Sequence, residues 1–228
     1  MAEKKSAGLK QKLLVVLLLF GPAFVLVFIS TRGCEHKFKQ LDDFGAAKNY
    51  SFVNAKGETK NSNDFSDVSV LVTTLQESCP DDCAVSVWHI DQLVYQKMRK
   101  DPRKGKVRII SFVTDGEGNP VDDLSSVQQM LYDRVEDYNP DVWILASGDA
   151  KSLYDFERND ERLLQEGDEF FGGQAFQELL LLLDRNNHLR MVLSGTTEGM
   201  IRRMNQHFAL LQKEYDQVEA KQIEKKEK

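Results

Sequence analysis

The chain has 228 residues, enough for one ordinary domain plus an appendage. With 41% hydrophobic and 29% charged residues it can bury a core, which excludes a disordered chain. A net charge of −6 argues against a general nucleic-acid binder, and three cysteines exclude a disulfide-rich mini-scaffold. Four histidines leave little material for a multi-histidine metal site.

Leu13 to Thr31 carry no charged side chain. At helical rise such a run spans roughly 28 Å, close to the hydrocarbon thickness of a bilayer. Lys4, Lys5, Lys10 and Lys12 precede it and Arg32 follows alone. The positive-inside rule then makes residues 1–12 a cytoplasmic stub, 13–31 a transmembrane anchor, and everything beyond it exported. The apolar core is longer than that of a cleavable signal peptide, and Thr31-Arg32-Gly33 puts a charge where cleavage wants small residues. Gly33-Cys34 leaves a lipoprotein as the alternative. A Lys-rich start is unlike a mitochondrial presequence, so the expected location is a bacterial inner membrane, with the C-terminal part in the periplasm.

Residues 32–48 are polar and read as a stalk. Tyr50 to Val53 and a second short segment after Asn54-Ala55-Lys56-Gly57 read as a hairpin. Val68 to Leu75 is β-branched and apolar and suits a buried strand. From Cys83 to Lys100, Val87, Ile90, Val94 and Met98 recur at helical spacing, and Asp101-Pro102 stops the helix. Val107 to Val113 is a second buried strand, Val121 to Tyr138 a second helix, and Val142 to Ala146 a third strand. Ala150 to Gln165 reads as one helix or two short ones. After Gly172-Gly173, the run Leu179 to Leu183, the turn Asp184-Arg185-Asn186-Asn187 and Leu189 to Leu193 form a second hairpin. Thr197 to Tyr215 is a final helix with Met200, Met204, Phe208 and Leu211 as its core stripe, and the charged end is expected to fray. The organisation is therefore a stalk over 32–48, a folded domain over 49–213 and a charged tail over 214–228. Alternation of strand and helix predicts an α/β sheet covered on both faces, and the terminal hairpin makes it similar to the thioredoxin-like fold.

One constellation carries chemistry. Cys79-Pro80-Asp81-Asp82-Cys83 lies between the first buried strand and the first long helix. Pro80 suits the first helical position, and Cys79 and Cys83, four apart, fall on one helix face. Unsatisfied amides at a helix N-terminus stabilise a thiolate, although Asp81 and Asp82 oppose that effect. Two soft thiolates at this spacing suit either a redox disulfide or Cu(I). His89 turns away from Cys83 and reads as a packing or surface residue. His188 and His207 read as surface residues, and Cys34 with His36 makes a weak site on a stalk.

The sequence resembles the Sco (SenC-type) family of membrane-anchored, thioredoxin-like proteins that assemble copper sites in cytochrome oxidase. The resemblance runs from Tyr50 to Leu211. It rests on Cys79-Pro80-Asp81-Asp82-Cys83, on Thr114-Asp115-Gly116-Glu117, on Trp143, Leu145 and Gly148, and on Leu182-Leu183-Asp184-Arg185-Asn186-Asn187, with Gly57 and Gly195. It implies a role in oxidase copper-site assembly or copper homeostasis, with an oxidase subunit or another thiol or copper-site protein as partner. Cys79 and Cys83 would be the reactive pair, acting as thiol–disulfide oxidoreductase or as Cu(I) ligands. Family members also carry a copper-ligating histidine before the hairpin. Counted back from Asn186, that position is Phe176, and no histidine lies between Lys151 and Asn187. Phenylalanine cannot ligate copper, whereas linear two-thiolate Cu(I) needs no histidine. The departure tilts the expectation toward redox chemistry. A non-catalytic scaffold of the same fold is the remaining alternative.

Overall fold

The computed structural model describes residues 8–33, 40–78, 87–100, 106–158, 161–162 and 176–226. The chain divides into two compact units, Met1–Lys39 and Gln40–Lys228. The first unit contains the helix α1 (Leu9–Gly33), with Pro22 inside it. Leu17, Leu18, Leu19, Phe24 and Leu26 on this helix are all largely exposed. Among the described residues no helix is long and apolar enough to cross a membrane. The structure thus gives an exposed apolar helix where the sequence suggests a span over 13–31.

The second unit is built on a seven-stranded mixed sheet. Its strands are β1 (Ser51–Asn54), β2 (Thr59–Asn61), β3 (Ser69–Gln76), β4 (Val107–Thr114), β5 (Trp143–Ser147), β8 (Leu179–Leu183) and β9 (Leu189–Ser194). They are ordered β2-β1-β5-β4-β3-β8-β9, with a separate small hairpin of β6 (Glu157–Arg158) and β7 (Glu161–Arg162). The strands β3, β4 and β5 run parallel, and β1, β8 and β9 run antiparallel to their neighbours. The apolar runs of the sequence explain the three central strands, which are buried on both faces.

Two apolar clusters lie on the two sides of the sheet. One joins Leu71, Ile109, Trp143 and Leu182 to the helix at 87–100, called α2, to α3 (Ser125–Arg134) and to α5 (Glu198–Lys226). The other joins Val72, Ile110, Phe112 and Leu181 to Tyr50, Phe52, Phe65 and α4 (Ala150–Tyr154). Each such side chain, fully buried, contributes roughly 1.5–3 kcal/mol. Between the central strands, Trp143 Nε1 donates to Ser111 Oγ at 2.8 Å, and that oxygen lies 3.2 Å from Thr73 Oγ1, whereas the buried Tyr50 hydroxyl has no hydrogen-bond partner.

Several boundaries differ from the sequence expectation. In α2 the stripe Val87, Ile90, Val94 and Met98 is buried as expected, but Asp91–Tyr95 forms a wider π-type turn. That turn brings the buried carboxylate of Asp91 within 2.8 Å of Gln96 Nε2, five residues on. The second helix is shorter than 121–138: Asp123 accepts from the Ser125 N–H at its start, and Asp137 adopts a left-handed φ of 52° beyond its end. The region 150–165 gives one short helix and then the β6–β7 hairpin, with no long helix among the described residues. On α5, Met204 and Leu211 are buried but Met200 is 37% exposed, and Ile201 takes its place. The last helix does not stop at Tyr215 but continues to Lys226. Its Glu, Lys, Gln and Ala residues are good helix formers. Glu219 also pairs with Lys106 and Arg185, and the Arg185 guanidinium lies 4.0 Å above the Tyr215 ring.

The stalk expectation changes most. Residues 40–48 are fastened to the domain. The Phe44 N–H donates to Leu189 O, and the Leu189 N–H donates to Gly45 O. Arg190 is buried and donates to Asp184, to Glu214 and to the carbonyls of Leu41 and Asp42. Leu41 and Ala47 are buried, and Lys48 pairs with Asp155 at 2.6 Å.

Candidate functional site

The strands β3 and β4 pair in register from Ser69↔Val107 to Gln76↔Thr114, so they end flush. The N–H of Glu77 still reaches Thr114 O at 2.8 Å. Cys79 follows three residues after Gln76, and the Asp115 loop leaves from Thr114. In open α/β sheets the carboxyl ends of parallel strands are where ligands and reactive groups collect. Cys79 and Cys83 themselves lie outside the described residues, as do Cys34 and His36.

The third segment at this edge is a short turn, Phe176–Glu178, that leads into β8. The Phe176 ring is buried and meets Tyr154 edge-on, with centroids 5.4 Å apart. Burial pushes the Tyr154 phenol above its ordinary value, so it stays neutral and donates to Leu179 O at 2.9 Å. Gly118 packs against the Cζ–Cε1 edge of the ring. Its φ is +80°, and a Cβ built there would lie 2.5 Å from Phe176 Cζ. The loop containing Gly118 is held by Asp115, whose carboxylate accepts from the N–H groups of Glu117 and Asn119 and from the Asn119 side chain. The side-chain bond from Asn119 and then its N–H keep the Asp115 carboxyl below the usual range.

Gln177, beside Phe176, was not singled out by sequence reasoning. Its Nε2 donates to Thr114 Oγ1 at 3.1 Å and to Asp115 O at 2.8 Å. Its Oε1 accepts from Gln76 Nε2 at 3.2 Å, and its carbonyl accepts from Thr74 Oγ1. A single glutamine inside a polar stretch carries no pattern that would have marked it.

The remaining histidines do not gather here. His89 is half-buried beside the exposed Trp88. His188 pairs with Asp43 at 2.9 Å in the β8–β9 turn, near where β3 begins. Among the described residues no group of three or more His, Cys, Asp or Glu side chains could hold a metal ion. Gly148 closes the end of β5 under β1: a Cβ there would lie 2.7 Å from Ser51 O.

A seven-stranded mixed sheet with a β-hairpin start, parallel centre and terminal hairpin is the thioredoxin-like class of α/β protein. Within that class the chain is structurally similar to Sco/SenC proteins. A SCO1/SenC family lipoprotein from Bacillus anthracis is 20% identical at a TM-score of 0.50, over 72% of this chain and 95% of that one. BsSco, a member of the Sco family of cytochrome c oxidase assembly proteins in which a disulfide switch was identified, is 17% identical at a TM-score of 0.50, over 74% and 97%. ScoI from Bradyrhizobium japonicum, solved with copper bound, is 17% identical at a TM-score of 0.46, over 71% and 98%. No protein-family model and no curated relative matches the sequence.

Proposed function

We propose that the chain is a membrane-tethered, Sco-like thiol–disulfide oxidoreductase that serves copper-site assembly in cytochrome oxidase or copper homeostasis. The observation that carries the redox reading is Phe176. At the position where the resemblance calls for a copper-ligating histidine, a buried phenylalanine is packed under Gly118 and against Tyr154. The donor set left for copper as cargo is the two thiolates of Cys79 and Cys83. That set fits Cu(I) and lacks the nitrogen that Cu(II) prefers.

In the redox cycle the Cys79 thiolate attacks one sulfur of a partner disulfide. A mixed disulfide forms and one partner thiolate leaves. The Cys83 thiolate then attacks Cys79 Sγ, releasing the second partner thiolate and closing the Cys79–Cys83 disulfide. The partner gains two electrons, and its thiolates take up protons from water. A dithiol donor returns the pair to the reduced state. A copper-site protein whose cysteines must be reduced before metal loading has the chemistry of such a partner. The exposed apolar side chains of α1 support tethering of the domain to the periplasmic face of a bacterial inner membrane.

Delivery of Cu(I) by the same two thiolates is the second reading, favoured by their softness and four-residue spacing. Anaerobic Cu(I) titration of the reduced full chain in detergent, against a competing chelator, separates the two. Tight one-to-one binding that disappears in Cys79→Ser/Cys83→Ser overturns the redox preference. Absence of specific binding, with Cys79 and Cys83 cycling in a thiol-exchange assay, is the expected result.

A further inference from the structure

We infer that a cleft at the start of β3 is a second binding site, one that takes an uncharged, hydroxyl-rich ligand of about monosaccharide size. The segment 46–50 lines one wall and the turn at 62–66 the other, with Val70 and the β8–β9 turn Asp184–Asn187 between them. The volume is about 360 Å³, near the lower limit of small-molecule sites. Hydrogen bonds fix the walls. The Ser62 N–H donates to Tyr50 O at 2.9 Å, Ser62 Oγ donates to Asn49 Oδ1 at 3.1 Å, and the Ala47 N–H donates to Asn187 O at 2.8 Å. Val70 lies at the start of β3, whereas Cys79 follows its other end. The cleft is thus independent of the dithiol reading above.

Tyr50 distinguishes this cleft from a gap in the packing. The residue is 5% exposed, and its hydroxyl has no hydrogen-bond partner. Its ring stacks with Phe52 and Phe65 and meets Phe112 edge-on, so a plain phenyl group suits the position. A buried phenol left unpaired destabilises a fold, and phenylalanine would remove that cost. An acceptor on a bound ligand supplies the missing partner. Burial, and then the Asp64 carboxylate on the turn, push the phenol above its ordinary value, so it stays a donor. The carboxylates here are engaged: Asp184 accepts from Arg190 and from two backbone N–H groups, and Asp64 accepts from the Asn61 N–H. The Arg185 guanidinium is turned to α5, over Tyr215 and onto Glu219. What lines the cleft besides is neutral: the carboxamides of Asn49, Asn63, Asn186 and Asn187 and the hydroxyls of Ser62 and Ser66. A carboxamide donates and accepts at once, as a sugar hydroxyl does, so the two pair reciprocally.

The test is a ligand-observed NMR titration of the full chain, in a detergent without a sugar headgroup, with N-acetylglucosamine and glucose as probes. Inorganic phosphate is the competing probe, because Arg185 Nε and Nη2 also lack a partner. Saturable binding of at least one sugar is expected, with no displacement by phosphate. Tyr50→Phe and Asn63→Ala are each expected to weaken it about three- to tenfold, the scale of one lost hydrogen bond. Without ligand, Tyr50→Phe is expected to match or exceed wild type in its urea midpoint, since it removes a buried unpaired hydroxyl. Absence of saturable binding to either sugar overturns the inference. Binding that either variant keeps at full strength overturns it too, because the sugar then sits elsewhere, and so does displacement by phosphate. A Tyr50→Phe protein less stable than wild type gives the hydroxyl a folding role and overturns the inference as well.

Discussion

Gly118 and Phe176 fit each other so closely that a methyl group on the glycine would overlap the ring, 2.5 Å from Cζ and 2.7 Å from Cε1. The glycine is required twice, by this contact and by its φ of +80°. Gly118→Ala is therefore expected to cost about 1–3 kcal/mol, from left-handed strain and overpacking together. In a Phe176→Leu background the same change is expected to cost less, because part of the clash is gone. Urea unfolding midpoints of the four proteins, at a common slope, measure the coupling.

Arg190 holds residues 40–48 to the domain through two carboxylates and two backbone carbonyls. Arg190→Met removes one member of a buried ionic group and is expected to destabilise by roughly 3–5 kcal/mol. Arg190→Lys is expected to rescue little, since one ammonium cannot span Asp184, Glu214, Leu41 O and Asp42 O together. Limited proteolysis of residues 40–48, alongside unfolding curves, reads both effects. Protection of that segment in Arg190→Met at the wild-type level would contradict the assignment.

The carboxyl of Asp43 lies below its ordinary value because the His188 side chain and then the Gly45 N–H bond to its charged form. A carboxylate depressed on folding adds stability that is fully present above its unfolded value, near 3.9, and is lost as pH falls through the lower folded value. Asp43 is largely exposed, so solvent screening keeps the contribution within about 1 kcal/mol. His188→Ala is expected to raise the Asp43 titration midpoint toward the ordinary range. Carboxyl titration by NMR in the two proteins measures it, and equal midpoints would refute the pairing.

Tyr215 supports the last helix just before the stretch in which the sequence suggests fraying. Its hydroxyl accepts from the Arg185 N–H at 3.1 Å, and its ring lies under the Arg185 guanidinium. Tyr215→Phe is expected to cost about 1–2 kcal/mol by leaving that N–H without its partner. Tyr215→Ala is expected to cost about 2–4 kcal/mol, adding the lost ring packing. Loss of helicity beyond Leu211, followed by hydrogen exchange, accompanies the larger change.

The strands that build the sheet were readable because each is an uninterrupted apolar run between turn residues, as in Val68 to Leu75 and Leu179 to Leu183. The stripe of α2 was readable from spacing alone, and so was the Asp184–Asn187 turn. The π-type turn at Asp91–Tyr95 was not, because it goes with a buried carboxylate bonded to Gln96, which no periodicity encodes. Residues 40–48 look like a polar stalk, since their order depends on Arg190, 149 positions from Leu41. At the candidate site, Phe176 could be located by counting from the hairpin. Its burial under Gly118 and the bridging amide of Gln177 arise only when distant strands are brought side by side.

The strand β9 is the last of the sheet, and its outer backbone at Leu189 is occupied by Phe44 and Gly45. An unoccupied edge of this kind is a template for another extended chain. The segment that the sequence presents as a spacer thus covers the start of that edge, at His188 and Leu189. A fragment begun at Asn49 keeps every strand and both cysteines of the candidate site yet bares the edge at Leu189, whereas one begun at Gln40 keeps that point covered. Preparations that differ by these nine residues will differ in aggregation before they differ in chemistry.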